Sequence, residues 1–126
     1  EHLIHTMLSE KYLPVIAPIA LGTEFEALNV DGDRAAAQIA ASLHADLLVL
    51  LTDVEHVQVN GQPIEHWRVE EAKRHLPLIG PGMNTKVQAA IEALSLGVKR
   101  VVIAPAKCES PYSDAITGKS GTTITT

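Results

Sequence analysis

Apolar runs alternate with amphipathic segments along the chain, which predicts strands interleaved with helices. Continuous apolar residues at 47–51 and 101–104 are typical of strands buried on both faces of a parallel sheet. Apolar positions at helical spacing predict long helices at 34–43 and 83–96. The residues expected to face inward are Ala36, Ile39, Ala40 and Leu43 in the first helix and Val87, Ala90, Ile91 and Leu94 in the second.

Shorter elements complete the pattern. The apolar residues from Leu13 to Ala20 predict a short buried strand, and Gly22 with the alternating Phe25 and Ala27 predicts a small hairpin that leads to Asn29. A second hairpin is expected around Asn60-Gly61, which favours the tightest two-residue turns. The remaining expected elements are helices at 3–10, 70–75 and 111–116 and a strand at 122–124.

This order of elements indicates an α/β fold in which helices cover a mostly parallel sheet, with residues 1–126 forming a single domain. In such sheets, ligands bind beyond the carboxyl ends of the strands. The loops after Ile19, after Leu51 and before Met83 are therefore the candidate binding loops.

Composition excludes several classes of function. The chain has 15 acidic and 10 basic residues, a formal net charge of −5, and no cluster of Lys and Arg that could hold a nucleic-acid backbone. Its apolar runs are too short to cross a membrane. A single cysteine, Cys108, cannot form an internal disulfide, so we expect a cytoplasmic protein with neither nucleic acid nor membrane as a partner.

Some local patterns resemble known motifs but lack essential residues. Gly118-Lys119-Ser120 resembles the end of a phosphate-binding loop, but Ser113 stands where its first glycine belongs. The acids at 29–33 lack the glutamate that completes a calcium loop. His2 and His5 are more simply read as exposed side chains, and Cys108 as a packed one. We therefore predict no metal site built from protein ligands.

Two polar segments remain, each at a predicted helix start. Residues 29–33 contain Asp31 and Asp33, which capping of the following helix could explain. The segment Gly80 to Val87 places Lys86 in the first turn of a helix, where the helix dipole disfavours a cation. A lysine beside exposed helix N–H groups forms a corner suited to anions.

The chain resembles the amino-acid kinases, and within them the branch of acetylglutamate kinases and carrier-protein-linked aminoadipate or glutamate kinases. The resemblance lies in "LPVIAPIALG", "ALNVDGDRAAAQIAASLHADLLVLLTDV", "GPGMNTKVQAAIEALSLGVKRVVIA" and "GTTIT", which occur in family order. It implies a three-layer, carbamate kinase-like α/β sandwich. It also implies that the chain corresponds to the carboxyl-terminal, ATP-binding half of such a kinase.

The resemblance further implies transfer of the ATP γ-phosphoryl group to a carboxylate of an acylated amino acid, in arginine or lysine biosynthesis. Lys86 would stabilise the phosphoryl group, Asp33 would organise the catalytic lysine, and Asn29 would bind the substrate's α-carboxylate. Mg²⁺ would arrive with the nucleotide, held largely by phosphate oxygens and water. The residues implied to bind ATP or ADP are Asp53, Val54, Glu55, His56, Val57, Gln58, Leu78, Ile79 and Gly80.

Two departures from the family pattern stand out. His56 occupies a position that is usually glycine, and the family's amino-terminal half, with its glycine-rich loop and acceptor site, has no counterpart here. The expected partners are therefore ATP or ADP, an N-acylated amino acid or carrier protein, and either the amino-terminal half or further copies of the chain. A nucleotide-binding or regulatory module without catalysis remains the alternative, as does an α/β domain whose polar loops only cap helices.

Overall fold

The computed structural model describes residues 1–126 and contains a four-stranded central sheet with helices on both faces. In chain order the elements are α1 (His2–Ser9), β1 (Ile19–Leu21), β2 (Ala27–Asn29), α2 (Gly32–Ser42), β3 (Leu47–Thr52), β4 (Val57–Val59), β5 (Gln62–Ile64), β6 (His66–Arg68), α3 (Val69–His75), α4 (Met83–Ser95), β7 (Arg100–Pro105), α5 (Pro111–Thr117) and β8 (Thr122–Thr125). A single 3-10 turn, Leu76–Leu78, links α3 to the loop before α4.

The central sheet has the strand order β3-β7-β8-β6. Strand β3 pairs parallel with β7, and β6 pairs parallel with β8, whereas β7 and β8 are antiparallel. The prediction of a mostly parallel sheet is therefore confirmed. Two antiparallel ribbons, β1–β2 and β4–β5, stand apart from this sheet.

Two separate apolar clusters give the fold its three layers. The larger one joins α2, α3 and α4 to one face of the sheet through residues such as Ala40, Val87 and Ile103. The smaller one joins Ala115 of α5 to Val102 on the opposite face. This arrangement confirms the predicted α/β sandwich.

Helix α4 packs centrally between α2 and α3 over the sheet. All four of its residues expected to face inward are buried, together with Ala89 and Ala93.

Helix α2 begins where Asp31 Oδ1 accepts a hydrogen bond of 2.9 Å from the Arg34 backbone N–H, so the predicted cap is confirmed. Its buried residues are Ala37 and Ala40, so only Ala40 of the four residues expected to face inward is buried. No helix in the chain has both the length and the apolar character needed to span a membrane.

The prediction of a buried strand from Leu13 to Ala20 was wrong. Only Ile19 and Ala20 belong to a strand, and the side chains of Leu13 and Val15 are 84% and 91% exposed. Strand β1 pairs only with β2, in the hairpin that the sequence did predict. Because no other element of the chain covers these residues, their apolar composition does not lead to burial.

Candidate functional site

An ion pair joins the first turns of α2 and α4. Lys86 Nζ lies 2.9 Å from Oδ1 and 3.1 Å from Oδ2 of Asp33, and both side chains are only about one quarter exposed, at 21% and 24%. Helices α2 and α4 precede the parallel strands β3 and β7, so both helices begin beyond the carboxyl ends of these strands. The pair therefore stands at the edge of the sheet where α/β proteins bind ligands.

A cleft of about 460 Å³ opens beside this ion pair. One wall comes from the end of β3 and the loop that follows it, and the other from the loop that leads into α4. Lys86 lines the cleft as well, so the ion pair borders the space between the two loops. The lining residues are Thr52, Asp53, Val54, His56, Gln58, Ile79, Gly80, Pro81, Gly82, Met83 and Lys86.

The start of α4 is built without a side-chain cap. Gly82 occupies the N-cap position at a φ of +85°, a conformation that favours glycine. The first N–H groups of an α-helix lack intrahelical partners, and the helix dipole makes this end attractive to anions. One of these groups, the Asn84 N–H, bonds to the Gly80 carbonyl at 3.1 Å. Lys86 adds a positive charge to this end of the helix, which Asp33 partly offsets.

The opposite wall is fixed to the last strand. The Val57 backbone N–H donates to Thr122 Oγ1 at 2.9 Å, and the same hydroxyl donates to the Ile64 carbonyl. His56 Nδ1 lies 3.1 Å from the carbonyl oxygen of Gly121. These contacts hold the β4–β5 ribbon against the start of β8 and so define the position of residues 53–58.

A second ion pair connects the same two helices. Arg34 Nε donates to Glu92 Oε2 at 3.0 Å, and Gln88 Nε2 donates to Glu92 Oε1 at 3.2 Å. The hydrogen bond from Arg34, reinforced by that from Gln88, lowers the pKa of Glu92, and the same contact raises the pKa of Arg34. These contacts help fix the spacing of α2 and α4, on which the geometry of Lys86 and Asp33 depends.

The structure brings most of the residues singled out from the sequence to one cleft, while several lie elsewhere. Val57 is fully buried in the core, and Glu55 and Leu78 are exposed but do not line the cleft. Asn29 is exposed on the β1–β2 ribbon and also lies outside it. Asp33 reaches the cleft only through Lys86. The predicted residues that do line it are Asp53, Val54, His56, Gln58, Ile79, Gly80 and Lys86.

Four lining residues were not among the predicted nucleotide-binding positions. Thr52 ends β3, and Pro81, Gly82 and Met83 complete the turn into α4. Thr52, Pro81 and Gly82 nevertheless lie in the candidate binding loops that the end of the apolar run and the Gly-Pro-Gly breaker predict after Leu51 and before Met83.

The residues do not form a metal centre of their own. No group of three or more His, Cys, Asp or Glu side chains is arranged to hold a metal ion. Asp53 is the one carboxylate that lines the cleft. Such a donor set suits a cation that brings most of its oxygen ligands with it.

The family model for the amino acid kinase family matches residues 1–105. The chain belongs to the amino acid kinase family. It is 45% identical over 111 residues to the LysW-aminoadipate/LysW-glutamate kinase of Sulfolobus acidocaldarius, covering 87% of this chain and 42% of that protein. It is 41% identical over 123 residues to the enzyme of the same name from Metallosphaera sedula, covering 97% and 47%. The chain thus spans less than half the length of these relatives.

Solved structures share the fold of this family member. Carbamate kinase from Giardia lamblia bound to AMP-PNP superposes with a TM-score of 0.80 at 26% identity, covering 98% of this chain and 43% of that one. N-acetylglutamate synthase from Neisseria gonorrhoeae, complexed with coenzyme A and L-arginine, gives a TM-score of 0.90 at 23% identity, covering 98% and 30%. The expected likeness to carbamate kinase is therefore confirmed for the fold.

Proposed function

We propose that this chain is the ATP-binding half of a kinase that phosphorylates a carboxylate of an N-acylated amino acid. The observation that carries the proposal is the largely buried Lys86–Asp33 pair, which lies beside a cleft at the start of α4. Phosphoryl transfer needs positioning and charge neutralisation more than covalent participation by the protein. A lysine held by a carboxylate at a helix N-terminus supplies both requirements.

In the proposed reaction, a carboxylate oxygen of the acceptor attacks the γ-phosphorus of ATP. The bond from that phosphorus to the β–γ bridging oxygen breaks, which yields an acyl phosphate and ADP. Lys86 stabilises the negative charge on the transferring phosphoryl group through its ammonium. Asp33 positions that ammonium through its two oxygen contacts and does not itself touch the nucleotide.

We assign the nucleotide to the cleft between the two loops. The related carbamate kinase from Giardia lamblia was solved with AMP-PNP, which supports a nucleotide site in the shared fold. Asp53, Val54, His56 and Gln58 would contact the nucleotide from one wall, and Ile79 with Gly80 from the other. Three of the residues that the family resemblance implies do not line the cleft and would instead stabilise the two loops that form its walls. These residues are Glu55, Val57 and Leu78. Mg²⁺ would enter with ATP and neutralise phosphate charge, with Asp53 as the protein carboxylate available to it.

The proposed acceptor is a carrier-linked aminoadipate or glutamate, with acetylglutamate as the second candidate. The relatives from Sulfolobus acidocaldarius and Metallosphaera sedula carry LysW-aminoadipate and LysW-glutamate in their names, which favours the carrier-linked acceptors and hence lysine or arginine biosynthesis. We assign the acceptor's α-carboxylate to Asn29, whose exposed position on the β1–β2 ribbon leaves its amide accessible.

The proposal requires a second half for acceptor binding, and the surface of the chain supports this. We call the exposed apolar side chains of residues 3–28 the amino-terminal apolar face; its most exposed members are Leu13, Val15 and Phe25, at 84%, 91% and 84%. Monomeric proteins rarely leave large contiguous apolar patches in water, and such patches mark interaction surfaces. We propose that this face packs against the amino-terminal half of the kinase, within one polypeptide or as a separate chain.

A chimera tests the proposed activity. This chain would replace the matching half of the Metallosphaera sedula enzyme, and acyl phosphate would be trapped with hydroxylamine in the presence of ATP, Mg²⁺ and each candidate acceptor. We expect turnover in the chimera and none in the chain alone. Titration calorimetry of the chain with ADP should show weak binding. A chimera that folds but neither binds ADP nor turns over would contradict the proposed function.

A further inference from the structure

His56 is held in place from two directions. Its Nδ1 lies 3.1 Å from the carbonyl oxygen of Gly121, and the next backbone N–H, that of Val57, bonds to Thr122. Gly121 itself has little freedom, because its φ is +87° and a Cβ atom there would lie 2.8 Å from Ala104 Cα. The imidazole is therefore anchored to a carbonyl whose position the core determines.

This anchor decides which ring nitrogen carries the proton. A carbonyl oxygen only accepts hydrogen bonds, so Nδ1 must be the donor. In the neutral ring, Nε2 then keeps its lone pair and can only accept. Nε2 makes no hydrogen bond within the chain. His56 thus offers a free acceptor on a side chain that also lines the cleft.

The acceptor character of Nε2 relates His56 to the nucleoside rather than to the phosphates, because phosphate oxygens are themselves acceptors. Lys86 lies on α4, which packs over β7, whereas His56 contacts Gly121 at the start of β8. The two side chains therefore reach the cleft from different elements. A nucleotide whose terminal phosphate contacts Lys86 would have its nucleoside donors available to His56.

We propose that His56 selects the nucleoside by accepting, at Nε2, a hydrogen bond from a donor group of the nucleoside. The shared chemistry is a neutral N–H or O–H donor, which is either the exocyclic amino group of adenine or a ribose hydroxyl. This inference rests on the proposed function, because it assumes that the cleft holds a nucleotide. His56 borders two pockets: Asp53 and Lys86 are the charged residues that line the cleft, and Glu65 and Lys119 are those that line a second, small polar pocket.

Two substitutions test the acceptor at Nε2 of His56 separately from the hydrogen bond between Nδ1 and the Gly121 carbonyl. His56→Asn keeps an N–H donor near the position of Nδ1 but removes the acceptor at Nε2. His56→Gln places an amide oxygen near the position of Nε2 and loses the anchor. The matched control is His5→Ala, because His5 is an exposed histidine on α1 that lines no cavity. Thermal melting of each variant checks that the fold is retained.

The experiment titrates the chain with ADP, its 2′-deoxy and 3′-deoxy forms, and IDP, which lacks the exocyclic amino group. We expect the parent to prefer ADP over one of the three analogues by about three- to tenfold, the scale of a single neutral hydrogen bond. His56→Asn should abolish that preference, His56→Gln should retain part of it, and His5→Ala should leave it unchanged. The analogue that binds worse identifies the donor.

The outcomes distinguish this inference from the function on which it rests. Suppose that the chain binds ADP and that His56→Asn keeps the parent's ratios of Kd among the four nucleotides. His56 then does not select the nucleoside, but the proposed nucleotide site is not contradicted. If neither the chain nor the chimera binds any of the four nucleotides, the nucleotide site is wrong, and the inference falls with it.

Discussion

Lys86 and Asp33 are separated by 53 residues in the chain, yet the lysine Nζ lies within 3.1 Å of both oxygens of the aspartate. The contact depends on how closely α2 and α4 approach each other. Small buried residues on both helices, such as Ala37 and Ala90, allow this approach. The chemistry proposed for the site is therefore tied to the packing of two alanine-rich helices.

Replacing Lys86 tests its proposed role in phosphoryl transfer. In the chimera, Lys86→Ala should lower kcat by about 10²-fold or more, the scale observed when one preorganised charge donor is removed. The measurement is acyl-phosphate trapping at saturating ATP. Lys99→Ala serves as the control, because Lys99 is a 78% exposed lysine that pairs only with Asp46. Turnover of Lys86→Ala at the parent rate would show that this lysine does not act on the phosphoryl group.

Asp33→Asn tests whether the carboxylate positions the lysine. The variant keeps the size of the side chain but removes the charge that holds the ammonium, so kcat should fall while the Kd for ADP stays near that of the parent. Asp31→Asn is the matched control, because asparagine caps helices about as well as aspartate. A purely structural role of Asp33 would instead lower the melting temperature and leave kcat of the folded fraction unchanged.

Local sequence signals identified most elements correctly. The Asn60-Gly61 hairpin forms with both residues at positive φ, 52° and 77°, as a tight two-residue turn requires. Helix α4 follows its apolar periodicity closely. These features depend on neighbours in the chain, which is why the pattern of residues is enough to predict them.

Features that depend on distant partners were harder to predict. Residues 13–20 have the composition of a buried strand, but burial requires a covering element that this chain does not provide. Strand β6 has little local signal in the sequence, because only Trp67 in it is buried. The contact of Lys86 with Asp33 could be suggested only by a family resemblance, since nothing in either local segment refers to the other. The same holds for the anchoring of His56 by Gly121.

Gly121 should be much less tolerant of substitution than Gly118 in the same loop. Both have positive φ, +87° and +73°, so alanine costs roughly 1–2 kcal/mol of backbone strain at either position. A Cβ at Gly121 would also collide with the Ile103 carbonyl and with Ala104, whereas at Gly118 it would meet open space. Urea denaturation should show an additional loss of about 1–3 kcal/mol for Gly121→Ala. Equal losses for the two variants would mean that the loop shifts freely.

The Arg34–Glu92 pair should make stability depend on pH. Arg34 lowers the pKa of Glu92 in the folded state. As the pH decreases, the Glu92 carboxylate is therefore protonated in the unfolded state before it is protonated in the folded state, and the folded state loses stability. The stability that the ion pair contributes is fully present above the ordinary pKa of glutamate. It is lost as the pH falls through the lowered folded-state pKa of Glu92. Arg34→Gln should therefore reduce the melting temperature at neutral pH, with a deficit that disappears under acidic conditions. A deficit that is the same at neutral and acidic pH would exclude the ion pair as its source.

The amino-terminal apolar face allows a test of the proposed packing against an amino-terminal half. Val15 is 91% exposed, so Val15→Asp should change the free energy of unfolding of the chain by no more than about 0.5 kcal/mol, as is usual for surface substitutions. If the face packs against an amino-terminal half, the same change buries an unpaired carboxylate and should weaken that association by about tenfold or more. Binding would be measured by titrating the chain with the separately expressed amino-terminal half of the Metallosphaera sedula enzyme. Lys107→Gln, in the exposed loop after β7, is the control, because it changes the net charge by the same −1. If Val15→Asp binds as tightly as the parent, the amino-terminal half packs elsewhere and the exposed apolar residues need another explanation.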